Sequence, residues 1–214
     1  MNFVNEDNFK ELMLKYEFAL KRLETELGIL LDEYKYRKGY NPVEHIKSRI
    51  KSLGSIINKL DKKGLEYTTD NIVRNVHDVV GIRIVCSFLS DVYEIVNLIK
   101  SSKEFIIIDE SDYIKDPKDS GYSSYHLNIL IPVYLLNVTE YIEVEIQIRT
   151  VAMDCWASLD HKLSYKLPKD VPEELRISMT KKAEEIRELD KSVQKLFGIV
   201  KKYTDEQKNK IEEI

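Results

Sequence analysis

Glu143-Val144-Glu145-Ile146-Gln147-Ile148-Arg149 alternates polar and apolar residues without a break. Side chains on a strand change face at every residue, so Val144, Ile146 and Ile148 point one way and Glu143, Glu145, Gln147 and Arg149 the other. At about 3.3 Å per residue the polar row is roughly 20 Å long. Carboxylates, an amide and a guanidinium in one row make a suitable floor for a metal and phosphates. The same row is what a half-exposed antiparallel strand presents. The stretch therefore predicts a sheet with one apolar face, and the rest of the chain decides what the other face is for.

Working outward, residues 125–134 and 141–150 read as strands joined by a short polar connection, a hairpin. GIRIVCSF (81–88) is a strand, 91–100 a helix with Val92, Ile95, Val96 and Ile99 apolar, and 105–108 a further strand. Residues 111–121 form a loop containing Pro117 and Gly121, and 151–165 a helix. Near the N-terminus, Phe9, Met13, Tyr16, Leu20, Leu23, Leu27, Leu30 and Tyr34 recur in steps of four and three, a heptad seam on a long helix. Gly39 and Asn41-Pro42 end it. A second helix is expected over about 43–62, with Ile46, Ile50, Leu53, Ile57 and Leu60 on one face, and a short one over 68–77. Pro168 and Pro172 bracket a break, after which 173 to about 210 is helical, with Ile186, Leu189, Val193, Leu196, Val200 and Tyr203 in register. The fold class is α+β: a mixed, mostly antiparallel sheet of four or five strands flanked by helices, with an N-terminal helix (1–40), a central domain (41–167) and a C-terminal helical extension (168–214). The two seams need a partner: each other, the sheet, or another subunit.

The 214 residues are 43% hydrophobic and 33% charged, with a net charge of −4. General attraction to a nucleic-acid backbone is not expected, so RNA is not indicated by the charge, and any polyanion site must be a local basic pocket. Two cysteines, Cys86 and Cys155, suggest a reducing compartment rather than a disulfide framework. With no apolar run of spanning length and a polar, acidic start, a soluble cytoplasmic protein with no membrane contact is expected.

Three constellations carry chemistry. On a helix over 43–62, Lys47, Lys51, Ser55 and Lys59 follow one another at i, i+4, with Arg49 among them, giving either a solvated face or a phosphate clamp. His77-Asp78 precedes the strand that holds Gly81 and Arg83. The pair invites a metallohydrolase reading, but His45, His126 and His161 show no ligand spacing. Asp78 sharing a hard cation with Glu145 suits Mg²⁺, which takes one or two carboxylates plus substrate phosphates. The loop 112–126 can stack a purine on Tyr122 and set Lys118 on phosphates, or be an ordinary hairpin approach with exposed tyrosines.

DYIKDPKDSGYSSYH (112–126), EVEIQIRT (143–150) followed by Ala152, Met153 and Trp156, DVVGIRIVC (78–86) and SRIKSLGSIINK (48–59) resemble, in this order and spacing, RelA/SpoT-type alarmone synthetases. The resemblance runs from about residue 41 to 166, and the single-domain length looks like the small alarmone synthetases, closest to the RelQ branch. It implies a nucleotidyltransferase-like synthetase fold at 41–167. It also implies transfer of pyrophosphate from ATP to the ribose 3′-OH of GDP or GTP, giving (p)ppGpp and AMP in the stringent response. Carried over, Arg49 and Arg83 sandwich adenine, while Lys51, Ser55 and Lys59 hold ATP phosphates. Asp78 binds Mg²⁺ with Glu145 nearby, and Glu145 is the candidate base for the 3′-OH. Tyr122 stacks on guanine, Lys118 and His126 sit near the acceptor's phosphates and ribose, and Gln147 and Arg149 orient neighbours. A homotetramer is implied, and the larger relatives' hydrolase domain has no counterpart, which makes His77-Asp78 a decoy.

Departures follow as well. Many relatives carry a basic residue where Ser111 stands and Arg or Gln where Ser123 stands, which puts the choice among GMP, GDP and GTP in doubt. RelQ-type tetramers bind the alarmone through positions that match Glu24, Gly28, Leu31 and Asp154 here. Acidic and apolar groups there predict weak or absent activation by (p)ppGpp. The competing reading is an inactive nucleotide-sensing or RNA-binding module on the same fold.

Overall fold

The structure is a computed structural model describing residues 6–166 and 172–212, with the side chains of 164–166 and 205–212 left aside. In chain order the elements are α1 (Glu6–Lys38), β1 (Val43–Ile50), α2 (Leu53–Lys62), α3 (Thr69–Asn75), β2 (Val80–Cys86), α4 (Leu89–Ser101), β3 (Ile106–Asp112), β4 (Tyr125–Tyr134), β5 (Thr139–Thr150), α5 (Val151–Lys166) and α6 (Glu173–Glu212). The strands form one five-stranded sheet in the order β1-β2-β5-β4-β3. Only β2 and β5 run parallel among its neighbours; the other pairs are antiparallel. The long alternating strand β5 lies at the centre, because its apolar residues are covered on one face and its polar row is left to the other.

That apolar face is Ile82 and Ile84 of β2, Val144, Ile146 and Ile148 of β5, and Leu127, Ile129 and Ile131 of β4, all essentially inaccessible. Helices α1 and α4 close over it, and their inward residues Leu23, Leu27, Ile95 and Ile99 join the same core. The N-terminal seam therefore packs on the chain's own sheet. Its buried line runs Leu12, Tyr16, Ala19, Leu23, Leu27, which takes in Leu12 and Ala19 and leaves Phe9, Met13, Leu20 and Leu30 at the margin.

Two expectations need correction. Residues 43–50 are a strand, not the start of a helix, and they pair antiparallel with β2 from Val43↔Cys86 to Ile50↔Val80. Ile46 and Ile50 matched a helical period, but a waiting sheet edge outweighs that weak local preference. The helix begins only at Leu53, behind Ser52, whose hydroxyl accepts from Ser55 N, and it buries Ile56 and Leu60. The i, i+4 stripe Lys47–Lys51–Ser55–Lys59 thus survives only between Ser55 and Lys59. The second correction concerns α6. Its packed face is Ala183, Asp190, Gln194 and Phe197, whereas Leu189, Leu196, Val200 and Tyr203 of the expected seam are exposed. Strand β3 also runs on through Ser111 and Asp112, so the loop starts later than expected. Pro168 and the boundary at 167/168 lie outside the described residues. No described helix is long and apolar enough to cross a membrane.

Candidate active site

Strand register lines up the polar face in rows. Arg49 of β1 is level with Gly81 of β2, which is level with Glu145 of β5 and then Asn128 of β4. One step along, Lys47, Arg83, Gln147 and His126 form the next row. Residues 17 to 64 positions apart in sequence become neighbours at about 5 Å because each is one strand over. Gly81 leaves its place in the first row open, and the Arg49 side chain lies across it, with Nε 3.8 Å from where a Cβ would stand.

Three adjoining cavities open on this floor. One of about 260 Å³ is lined by Lys47, Arg49, Gly81, Arg83, Glu145 and Gln147. A second, about 360 Å³, lies on the far side of Glu145 among Lys59, Lys62, Lys63, His77, Asp78 and Asn128. The third, about 830 Å³, runs from Arg49, Arg83 and Gln147 to Tyr122, Arg149 and the inner side of α5, including Ala157, Ser158, His161 and Lys162. Glu145 is the wall shared by the first two, and Gln147 by the first and third.

Glu145 belongs to a closed ring of hydrogen bonds. Gln147 Nε2 donates to its Oε2 at 2.6 Å, and His126 Nδ1 lies 3.2 Å from its Oε1. His126 Nε2 is 2.8 Å from the Tyr122 hydroxyl. Arg149 Nη2 donates to both the Tyr122 oxygen (2.6 Å) and Gln147 Oε1 (2.7 Å). Arginine has no acceptor, so the tyrosine proton is directed to His126 Nε2, and a neutral imidazole then carries its own proton on Nδ1, facing Glu145. Burial pushes the Glu145 pKa up and the Asp78 charge adds to that. The hydrogen bonds from His126 and Gln147, with the electrostatic pull of the His126 ring, outweigh both and hold the carboxyl below its ordinary value.

Asp78 lies at the end of the 360 Å³ cavity with both oxygens engaged: Lys51 Nζ at 2.9 Å from Oδ2 and Lys59 Nζ at 2.7 Å from Oδ1. Burial raises its pKa, and the two lysines more than reverse this. Lys51, 7% exposed, is fixed beneath the site; Lys59, at 43%, is free to swing toward a ligand. Two carboxylates on one cavity beside mobile lysines fit a hard Mg²⁺ ion that takes its remaining oxygens from phosphates and water. No group of three or more His, Cys, Asp or Glu able to hold a metal occurs among the described residues. His77 sits beside Asp78 in sequence but turns to Glu143 at 2.8 Å.

The structure therefore brings together Arg49, Lys51, Lys59, Asp78, Arg83, Tyr122, His126, Glu145 and Gln147. Ser55 stands in the first turn of α2 with its hydroxyl on Ser52. Lys118 lies over the Tyr113 ring at 4.4 Å and the Tyr122 ring at 5.2 Å, on the loop side of the large cavity. Asp154, met in the sequence only as a position matching the alarmone cleft of relatives, belongs to this site as well. Its Oδ1 accepts from Arg149 Nη1 at 3.3 Å and forms an ion pair with Arg83 Nη1 at 3.0 Å, linking the two guanidinium groups. The wall from α5 was missed. The signal was present: α5 starts at Val151 directly after β5 ends at Thr150, so its first turns must overhang the floor.

A carboxylate floor between basic cavities, with no nucleophile set against a base among the described residues, is the layout of an enzyme that aligns phosphates for transfer. Residues 48–170 match the family model described as a region found in RelA / SpoT proteins. The chain is 48% identical to the GTP pyrophosphokinase YwaC of Bacillus subtilis and 30% identical to YjbM of the same organism, over 91% and 92% of each chain respectively. The crystal structure of small alarmone synthetase 2 from Bacillus subtilis superposes with a TM-score of 0.79 at 47% identity, covering 92% of this chain and 99% of that one. Small alarmone synthetase 1 bound to its product pppGpp gives 0.80 at 31%, covering 91% and 99%. The chain belongs to the RelA/SpoT family.

Proposed function

We propose that the protein is a GTP pyrophosphokinase: it transfers the pyrophosphoryl group of ATP to the 3′-hydroxyl of GDP or GTP, giving (p)ppGpp and AMP. The observation that carries this reading is the position of Glu145, a half-buried carboxylate between two basic cavities on the sheet floor. The donor would lie across Arg49 and Arg83, with its phosphates toward Lys51 and Lys59. The acceptor would enter the large cavity against Tyr122, with Lys118 and His126 toward its phosphates. The 3′-oxygen then attacks the β-phosphorus, the bond from that phosphorus to the AMP oxygen breaks, and the hydroxyl proton passes to Glu145. A carboxylate this acidic is a weak base, so the proton moves late, as the new O–P bond forms, and the charge of Glu145 mainly orients the hydroxyl. Asp78 and Glu145 would hold Mg²⁺, which neutralises phosphate charge when bound.

Incubating the protein with ATP, GDP and Mg²⁺ and separating nucleotides by anion exchange tests the reading. AMP and a 3′-pyrophosphorylated guanine nucleotide in equal amounts are expected. No AMP, with salt-sensitive RNA binding instead, would favour an inactive module. Repeating the assay with GMP and GTP ranks the acceptors.

A homotetramer is the assembly we infer, with the exposed row Leu189, Leu196, Val200 and Tyr203 of α6 facing another copy; light scattering reads the subunit number. Activation by pppGpp should be weak or absent. Glu24 is engaged by Ser48, and Asp154 by two arginines, so neither is disposed to receive a polyphosphate. A strong rate increase on adding pppGpp would refute this. The protein is expected to work in the cytoplasm.

A further inference from the structure

We infer that α6 is a working part of the acceptor subsite in the same chain, and that Ala183 is a positioning residue for Tyr122. The inference rests on Tyr122 being where the acceptor base stacks, as proposed above. Gly121 immediately precedes Tyr122, has φ +78°, and is pressed so closely against α6 that a Cβ there would lie 2.2 Å from the Ala183 Cβ. Real Cβ atoms do not approach so closely, so the loop backbone rests directly on the helix. Thr180, one turn earlier, faces the carbonyl of Asp119 in the same loop. The loop is closed on itself by Gly121 N donating to Lys118 O at 2.7 Å and Lys118 N donating to Tyr122 O at 3.1 Å. Whatever moves Gly121 therefore carries Tyr122 with it.

The rest of the helix fixes the height of this prop. Asp190, 7% exposed, accepts from Thr150 Oγ1 at 2.6 Å, at the junction where β5 gives way to α5. Gln194 Oε1 accepts from Ser90 N at 2.9 Å, and Phe197 stacks on Phe88 with ring centroids 3.9 Å apart, just beyond the end of β2. Residues 183, 190, 194 and 197 share one helix face and span about 21 Å. One rigid rod thus gauges the acceptor loop against the ends of the two strands that carry Arg83 and Glu145. The loop runs from the end of β3 at Asp112 to the start of β4 at Tyr125, with Tyr122 near its second end and Gly121 propped on the helix.

The test compares Ala183→Val, which pushes the loop off the helix, Ala183→Gly, which removes the prop, and Lys182→Ala, which changes the neighbouring exposed residue. GDP affinity is measured by calorimetry without ATP, and KM for GDP and for ATP by AMP release. A good base–aromatic stack is worth about 5- to 150-fold in affinity, so Ala183→Val should weaken GDP by about fivefold or more. Its ATP KM should stay within about twofold, since Arg49 and Arg83 are untouched. Ala183→Gly should weaken GDP in the same direction and Lys182→Ala should change nothing. Equal weakening of both nucleotides, or unchanged GDP affinity in either folded Ala183 variant, overturns the inference. If Ala183→Val does not fold, Ala183→Gly decides. A wild-type protein that forms no AMP from ATP and GDP sinks the transfer reading itself; one that turns over while ignoring Ala183 sinks only the brace.

Discussion

Asp78→Asn separates the structural from the chemical work of the site. The substitution keeps the side-chain shape and one acceptor but removes the charge between Lys51 and Lys59. Lys59 is 43% exposed and can turn to water, so its loss contributes little. Lys51 cannot: at 7% exposure its ammonium would stay buried opposite an amide. Removing one partner of a buried ion pair costs about 3–5 kcal/mol; with Asp78 itself 19% exposed and an amide oxygen retained, the cost falls below that range, to about 2–3 kcal/mol. For a chain of 214 residues that is a fall in Tm of roughly 4–12 °C, well inside the usual ~5–15 kcal/mol of domain stability, so the variant folds. Product formation should nevertheless fall by about 10²-fold or more, because the cavity loses a carboxylate suited to Mg²⁺. Pairing it with Lys51→Met removes the stranded charge; replacing a buried pair by packed apolar groups is about neutral, so Tm should return toward wild type while activity stays lost. Melting curves and AMP release on the single and double variants read both arms. A double variant no more stable than Asp78→Asn alone would refute the buried-charge argument, and near-normal turnover by Asp78→Asn would refute the metal assignment.

Tyr122→Phe keeps the stacking ring and deletes the hydroxyl between His126 and Arg149, so KM for GDP should hold while kcat drops several-fold; a raised KM with unchanged kcat would count against the hydrogen-bonded ring. Asp154→Asn frees Arg83 from its buried counter-charge, and the loss of charge-assisted hydrogen bonds should lower kcat/KM for ATP by about tenfold, as read from initial rates. Folding holds the carboxyls of Asp78 and Glu145 below their ordinary values of 3.8 and 4.5, so their contribution to stability is complete above those values and is lost as pH falls through the still lower folded ones. An acid melt of wild type should therefore drop more steeply below about pH 4 than one of the double variant Asp78→Asn/Lys51→Met.

Much of this arrangement was legible because it lies in local pattern. The alternation of residues 143–149 gave the central strand and both of its faces, and the motifs around Asp78, Arg83 and Tyr122 gave most of the floor. What local pattern could not give was registration. Lys47 and Arg49 sit two apart, a strand spacing, yet Ile46 and Ile50 match a helix equally well; only pairing with Arg83 and Gly81 decides between them. Asp154 drew notice only as a match to the alarmone cleft of relatives; its contact with two arginines appears only once α5 folds back over the end of β5. Ala183 carries no signal at all, since a small residue on a charged helix shows its purpose only when Gly121 is pressed against it. The exposed line of α6 drew attention by its apolar spacing, but the helix docks through the opposite face, where Asp190 and Gln194 make directional bonds that hydrophobic periodicity does not detect.

A chain with net charge −4 that handles two polyphosphates at once has to concentrate its cations. The three cavities do this: Lys47, Arg49, Lys59, Lys62, Lys63, Arg83, Arg149 and Lys162 line them against only Asp78, Glu145 and Asp160. Sheet geometry is what makes such a concentration stable. Like charges on adjacent strands would repel if they pointed into solvent at about 5 Å. Here the buried Arg149 and Lys51 and the half-buried Arg83 are set against acceptors reached from other elements: Arg83 and Arg149 share Asp154, and Lys51 takes Asp78. The cations without such an anchor, Lys47 and Lys62 among them, are exposed at the cavity rims, where water bears their charge until phosphates arrive. The positive field is therefore short-ranged and confined to the cleft, drawing in a nucleotide that enters while the acidic exterior gives a long polyanion nothing to follow.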